Sequence, residues 1–120
     1  MVKKEKLLVV GGTGFLGRHI LLRAVKLGFK CSSISLNKIN PKKKIEKVDY
    51  YNINILKKNE FAKLKVNFDY VINSGGYGGF KKVNNIYKDI NAQYTGLKNL
   101  AGFFKKKKIK KFIQLGTSLE

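Results

Sequence analysis

The chain has a single cysteine, Cys31, so no disulfide can form within it and nothing supports an oxidising compartment. Set in an apolar stretch, Cys31 reads as a small core residue. There is no run of about 18 apolar residues, which excludes a membrane-crossing helix. The basic start, MVKKEK, is followed by only four apolar residues before the first glycines, too few for the roughly 7–15 of a secretory signal. The cytoplasm is therefore the expected location, with no membrane partner. Acidic residues are scarce: seven Asp and Glu stand against 26 Lys and Arg, a net charge of +19. Arginine is scarce as well, with Arg18 and Arg23 the only two. Nucleic-acid surfaces favour Arg, whose planar fork grips phosphate and guanine through paired hydrogen bonds. A chain rich in Lys, Asn and Ile but poor in Arg reads instead as the product of AT-rich coding. A basic nucleic-acid-binding module is thus the weakest functional alternative. The lysines at 105–108, with Lys110 and Lys111, are the best candidates for a true electrostatic patch. The one histidine, His19, falls among packing positions and is read as structural, and no metal site is expected.

What is present fits one small globular domain. At 120 residues and 43% hydrophobic, the chain can bury roughly two-thirds of its unfolded surface. Residues 7–10 are a continuous apolar run ending in glycines, as in a strand buried on both faces. From Phe15 the period changes: Leu16, Ile20, Leu21, Ala24, Val25 and Leu27 mark an amphipathic helix, with Gly28 as its stop. A serine-rich second strand is expected from Lys30 to about Leu36. The loop at 37–44 carries the only proline, Pro41. A weaker third strand spans 48–53, and residues 57–65 read as a short helix capped by Asn54 or Asn59. Residues 68–73, FDYVIN, form a fourth strand that runs into a glycine-rich loop. A long helix follows from Ile86 to Phe104, interrupted by Gly96 and Gly102, and KFIQL at 111–115 makes a fifth strand. There is no internal repeat. This alternation predicts an α/β fold: a Rossmann-like, three-layer, doubly wound parallel sheet, incomplete at about five strands.

The stretch LLVVGGTGFLG at 7–17 is the most informative. A glycine recurs every third position, at Gly11, Gly14 and Gly17, between a buried strand and an amphipathic helix. One glycine lets the chain turn sharply, one lets a diphosphate approach the backbone, and one lets the helix pack against the sheet. The N–H groups of Gly14, Phe15 and Leu16 would then face the phosphates, where the helix dipole favours negative charge. No Gly-Lys-Ser/Thr follows, so a P-loop is excluded.

Taken together, four motifs resemble the extended short-chain dehydrogenase/reductases, the NAD-dependent epimerase/dehydratase group. They are GGTGFLG, then the DYVINSGG run at 69–76, then Asn91, Gly96, Asn99 and Leu100 on the long helix, and finally FIQLGTS at 112–118. The resemblance implies a cofactor, NAD or NADP, chosen at the end of the second strand. There Ser35 stands where an acidic residue would hold the ribose 2′-OH. Ser35 is neutral and Lys38 is near, which leans toward NADP without deciding it. The resemblance also implies that Asn52 and Ile53 lie at the adenine. It places Ser74, Gly75 and Gly76 beside the riboses, and lets Asn91 bridge backbone and active site. Ser118, with Thr117 as the alternative, would hydrogen-bond the substrate. The resemblance places the family's Tyr-x-x-x-Lys acid/base further on, after the fifth strand: Tyr87 has Asn91 four residues on, and Tyr77 with Lys81 and Tyr94 with Lys98, which do have the spacing, both precede that strand. Residues 1–120 are thus expected to be the NAD(P)-binding part of a nucleotide-sugar epimerase or dehydratase, ending before that motif and the substrate lobe. Alone it would be inactive, meeting a nucleotide sugar only if that lobe is supplied. A non-catalytic dinucleotide sensor of the same superfamily is the alternative, and a homo-oligomer is compatible with either.

Overall fold

Four of the five residues of the first strand, β1 (Lys6–Val10), are buried. Side chains alternate across a strand, so burying nearly all of them requires cover on both faces of the sheet. Leu7 and Val9 pack with Leu21, Ala24 and Cys31, whereas Leu8 and Val10 pack with Ile34, Val71, Leu100 and Phe104. This computed structural model describes residues 4–75 and 86–115, and only the backbone of residues 86–92. After β1 come α1 (Phe15–Lys26), β2 (Lys30–Ser35), β3 (Val48–Asn52), β4 (Tyr70–Asn73), α2 (Ile86–Lys105) and β5 (Lys111–Gln114). The strands form one parallel sheet in the order β3-β2-β1-β4-β5. The expected incomplete Rossmann-like sheet of about five strands is what the chain forms, with β1 in its middle.

Local sequence explains most of the boundaries. Gly28 takes φ +95, a left-handed value that stops α1. The N–H groups of Gly28 and Phe29 then close onto the carbonyls of Val25 and Ala24, at 3.1 and 3.0 Å. Gly96 sits in a long helix because a Cβ there would lie 2.6 Å from Ile55 Cδ1. Next to it, Asn99 is buried and donates through Nδ2 to the Ile55 carbonyl at 2.8 Å. Gly96, Asn99 and the fully buried Leu100 therefore dock α2 on the chain just past β3.

One expected element differs. Residues 57–65 form a six-residue 3-10 helix, Lys58–Lys63, rather than an α-helix. With three residues per turn, Phe61 and Leu64 stand one above the other, and both are buried in the core. Neither asparagine caps it through its side chain: Asn54 Oδ1 instead accepts from the Leu56 N–H at 3.0 Å. The loop at 37–44 gains a short 3-10 turn, Pro41–Lys43, with Asn40 Oδ1 accepting from the Lys42 N–H at 3.0 Å. β5 forms one margin of the described sheet and leaves Ile113 38% exposed.

Cys31 lies in the core with no exposed surface, and burial pushes its thiol up to about 11. Because the thiolate is the reactive form, the native chain at pH 8 is expected to react with Ellman's reagent at least about tenfold more slowly than the denatured chain. Rapid stoichiometric labelling of the folded protein would contradict that placement.

Candidate functional site

The chain builds β2 and β3 on one side of β1 and then crosses to β4 on the other. In an open parallel sheet this reversal leaves a crevice at the carboxyl ends of the two flanking strands. Here those strands are β1 and β4. The Gly11 N–H donates to the Ile34 carbonyl at 2.8 Å, and the Ser74 N–H donates to the Val10 carbonyl at 2.9 Å. Ser74 Oγ donates to the same carbonyl at 2.8 Å, and the Gly75 N–H donates to Asn73 Oδ1 at 3.1 Å. Residues from three strands thus fix the floor beneath the glycine loop.

Each glycine in that loop meets different surroundings. Gly11 has φ +85, and a Cβ there would fall 2.8 Å from Gly75 Cα, so it provides both the turn and the close approach of β4. At Gly17 a Cβ would fall 2.8 Å from the Gly11 carbonyl carbon and 2.9 Å from Gly12 Cα, so it lets α1 lie against the loop. Gly14 is different. Its φ of −79 and ψ of 174 suit any residue, and a Cβ would meet only the Gly11 oxygen, at an ordinary 3.4 Å. Among the described residues, nothing requires glycine there.

Gly14 is also the N-cap of α1, and no side chain caps that helix. The first N–H inside the helix with a carbonyl partner is that of Arg18, donating to the Gly14 carbonyl at 2.9 Å. Among the described residues, the N–H groups of Phe15, Leu16 and Gly17 are left without acceptors, as at any uncapped helix start. No acidic residue lies in that turn to compete for them. An open approach at Gly14, unpaired donors and the positive end of the helix dipole together fit a diphosphate.

Phe15 and Leu16 are 83% and 51% exposed, so the loop presents its backbone with apolar side chains standing clear of the core. Ser35 ends β2 as expected, its Oγ donating to the Asn37 carbonyl at 2.9 Å, and Lys38 follows on the surface. Asn52 ends β3, and its carbonyl accepts from Lys63 Nζ at 2.9 Å. Ile53 is 1% exposed: its side chain belongs to the core, and its N–H donates to the Ser35 carbonyl at 3.0 Å. Glu60 reaches this end of the sheet, and the Asn54 N–H it accepts, at 2.9 Å, holds its carboxyl below its usual range. Asn91 lies within α2, but its side chain, like Gly76, Thr117 and Ser118, falls outside the described residues. His19 is exposed rather than packed, lying edge-on to Phe15 with ring centroids 4.7 Å apart.

Three residues that spacing did not single out belong to the site. Gly12 has no room for a Cβ, which would lie 2.7 Å from both Leu21 Cδ1 and Ser33 Cβ. Ser33 is fully buried under it, and among the described residues its hydroxyl alone is a buried side-chain polar atom without a partner. The signal was a serine in a buried strand, explained by the close passage of Gly12. Arg18 donates through Nη1 to the Lys43 carbonyl at 2.7 Å, tying the start of α1 to the loop after β2. Among the described residues no group of His, Cys, Asp or Glu is arranged to hold a metal, and no helix is long and apolar enough to cross a membrane.

Many solved structures share this arrangement. The Helicobacter pylori ADP-L-glycero-D-manno-heptose-6-epimerase superimposes with a TM-score of 0.80 at 21% identity, over 96% of this chain and 40% of that one. The Thermotoga maritima UDP-glucose 4-epimerase with UDP-glucose gives 0.75 at 21% identity, over 91% and 37%. The Bordetella bronchiseptica enzyme WbmG in complex with NAD gives 0.78 at 17% identity, over 98% and 39%. At these identities the likeness is one of fold, and the chain spans about two fifths of each structure's length. Comparison with curated proteins gives no significant match. The sequence itself matches one family from the first strand to the last residue, 7–120. With its glycine loop at the central crevice of a parallel sheet, the chain belongs to the NAD dependent epimerase/dehydratase family.

Proposed function

We propose that this chain is the dinucleotide-binding part of a nucleotide-sugar epimerase or dehydratase. The observation that carries the reading is Gly14, a glycine that neither backbone conformation nor crowding explains, beside unpaired N–H groups at the start of α1. A ligand that must reach the backbone accounts for it, and a pyrophosphate accepts the hydrogen bonds offered. Phe15, Leu16 and Gly17 would hold that group through their N–H groups, with Gly11 shaping the turn and Gly14, whose own N–H donates to the Gly11 carbonyl at 3.1 Å, leaving the approach open. Ser35, Lys38, Asn52 and the backbone at Ile53 would line the adenosine end, with Ser74, Gly75 and Gly76 beside the riboses. When bound, the nicotinamide cofactor supplies a hydride acceptor and donor. The chain's own contribution is to bind and orient it at the crevice. Asn91 and either Ser118 or Thr117 would carry hydrogen bonds onward to the substrate. A nucleotide sugar is the proposed substrate because related folds include an epimerase solved with UDP-glucose. The Tyr-x-x-x-Lys spacing occurs in residues 1–120 at Tyr77–Lys81 and Tyr94–Lys98, both ahead of β5 and so ahead of the place where the resemblance puts the acid/base. This stretch would thus supply the cofactor half of the chemistry and not its principal acid/base.

The test is thermal unfolding of the 120-residue chain with and without millimolar NAD+ or NADP+. Binding to the folded state alone stabilises it by about 2.7 kcal/mol at a hundredfold excess over Kd, so a rise of several degrees is expected. No rise with either dinucleotide at millimolar concentration would remove the reading.

A further inference from the structure

The end of β2 carries no negative charge. Ser35 closes the strand, its hydroxyl donating to the Asn37 carbonyl, and Leu36, Asn37 and Lys38 follow on the surface. The same holds at the other carboxyl ends of the sheet. β1 runs into Gly11 and Gly12, β3 ends in Asn52, β4 in Asn73, and β5 in Gln114. The described carboxylates lie elsewhere or are engaged. Glu5 precedes β1 and pairs with Lys110 at 2.6 Å, while Asp69 precedes β4 and accepts from the Lys6 N–H at 2.8 Å. Glu46 precedes β3, and Asp49 is opposite Ser32 well before that strand's end. Glu60, the one that approaches the site, accepts from the Asn54 N–H and is 3.4 Å from Lys63 Nζ.

Positive charge is placed there instead. Arg18 lies in the first turn of α1, directly after the glycine loop, and its Nη1 donates to the Lys43 carbonyl at 2.7 Å. That bond fastens the loop between β2 and β3 to the helix start. The loop is held from within as well, by Pro41, by Asn40 accepting from the Lys42 N–H, and by the Lys43 N–H donating to the Asn40 carbonyl at 2.8 Å. Lys38, Lys42, Lys43 and Lys44, all exposed, are thereby gathered with Arg18 around the end of β2. Arg18 uses one of its five donors in this contact, which leaves others for a ligand.

We infer that this rim recognises a phosphate on the adenosine ribose, so that the chain selects NADP over NAD. The inference rests on the dinucleotide reading above, because the ribose at the end of β2 is located by that reading. An acidic side chain there would accept from a ribose 2′-OH and repel a 2′-phosphate. This site has no such side chain, and a guanidinium offers the paired donors that phosphate geometry suits.

Titration calorimetry of the 120-residue chain with NADP+ and NAD+ tests it. At low salt, NADP+ is expected to bind at least tenfold more tightly, with the ratio falling severalfold in 0.5 M salt as exposed charges are screened. Arg18→Ala and Lys38→Ala, both at exposed positions, should each lower the NADP+/NAD+ affinity ratio at least fivefold. Ser35→Asp should bring the ratio below one. Equal or tighter binding of NAD+ overturns the inference and leaves the dinucleotide reading standing. Variants that weaken both ligands equally overturn it too, since they would show an effect unrelated to the 2′ position. Binding of neither dinucleotide removes the reading, and the inference with it.

Discussion

Gly17→Ala is expected to lower the melting temperature of the chain by about 10 °C, although it adds a single methyl group. In an ordinary helix this exchange stabilises by roughly 0.5–1 kcal/mol, because glycine loses more freedom on folding than alanine. Here the new Cβ would stand 2.8 Å from the Gly11 carbonyl carbon and 2.9 Å from Gly12 Cα. Both are backbone atoms of a loop held by the Gly11 N–H bond to Ile34, so they cannot swing aside. The start of α1 would have to lift, loosening the contact of Leu21 and Ala24 with Leu7, Val9 and Cys31. Overpacking of this kind costs about 3 kcal/mol, and each kcal/mol moves the midpoint of a domain this size by roughly 4 °C. Thermal melts followed by circular dichroism check it. A midpoint unchanged or raised would mean that the helix does not rest on the loop.

Gly14→Val should give the opposite division of effects: a folded chain that no longer binds dinucleotide. The backbone at Gly14 has β-region angles that valine adopts readily, and its Cβ would have open space apart from the Gly11 oxygen at 3.4 Å. Replacing an N-cap glycine by valine costs about 1 kcal/mol, since neither offers a side-chain acceptor and valine is the poorer cap. The isopropyl group would stand at the approach to the unpaired N–H groups of Phe15, Leu16 and Gly17. Affinity measured by calorimetry is expected to fall at least tenfold, with a melting temperature only a few degrees lower. Undiminished affinity would show that the ligand does not come near Gly14, and the proposed site would have to be abandoned.

The contrast between these two glycines also shows what the sequence could and could not reveal. Spacing between a buried strand and an amphipathic helix was enough to identify the loop, because both periodicities are properties of the chain itself. The parallel sheet covered by helices followed from the strand–helix alternation, whereas the order that puts β1 at its centre is set by the fold. Gly12 was not legible. Its need for glycine comes from Ser33 and Leu21, residues brought beside it only by folding. Arg18 was not legible either, because its partner, the Lys43 carbonyl, is brought beside it only when the loop after β2 folds back. Ile53 was placed at the adenine by a family motif, yet its side chain went to the core with Ile34 and Phe61. A motif gives a position in the chain and not the direction in which a side chain leaves it. The 3-10 form of Lys58–Lys63 is not legible for a related reason: Phe61 and Leu64, three apart, fit an α-helical stripe as well as a 3-10 line.

The most direct measurement of the central claim is an amide NMR titration of the isotope-labelled chain with NADP+. Backbone N–H groups that receive a pyrophosphate change their shielding more than those that merely sit nearby. The largest changes are expected at Phe15, Leu16 and Gly17, followed by Gly11 and Gly75. If those amides stay still while the lysine run at 105–111 responds, or if no amide responds at millimolar ligand, the glycine loop does not hold a dinucleotide.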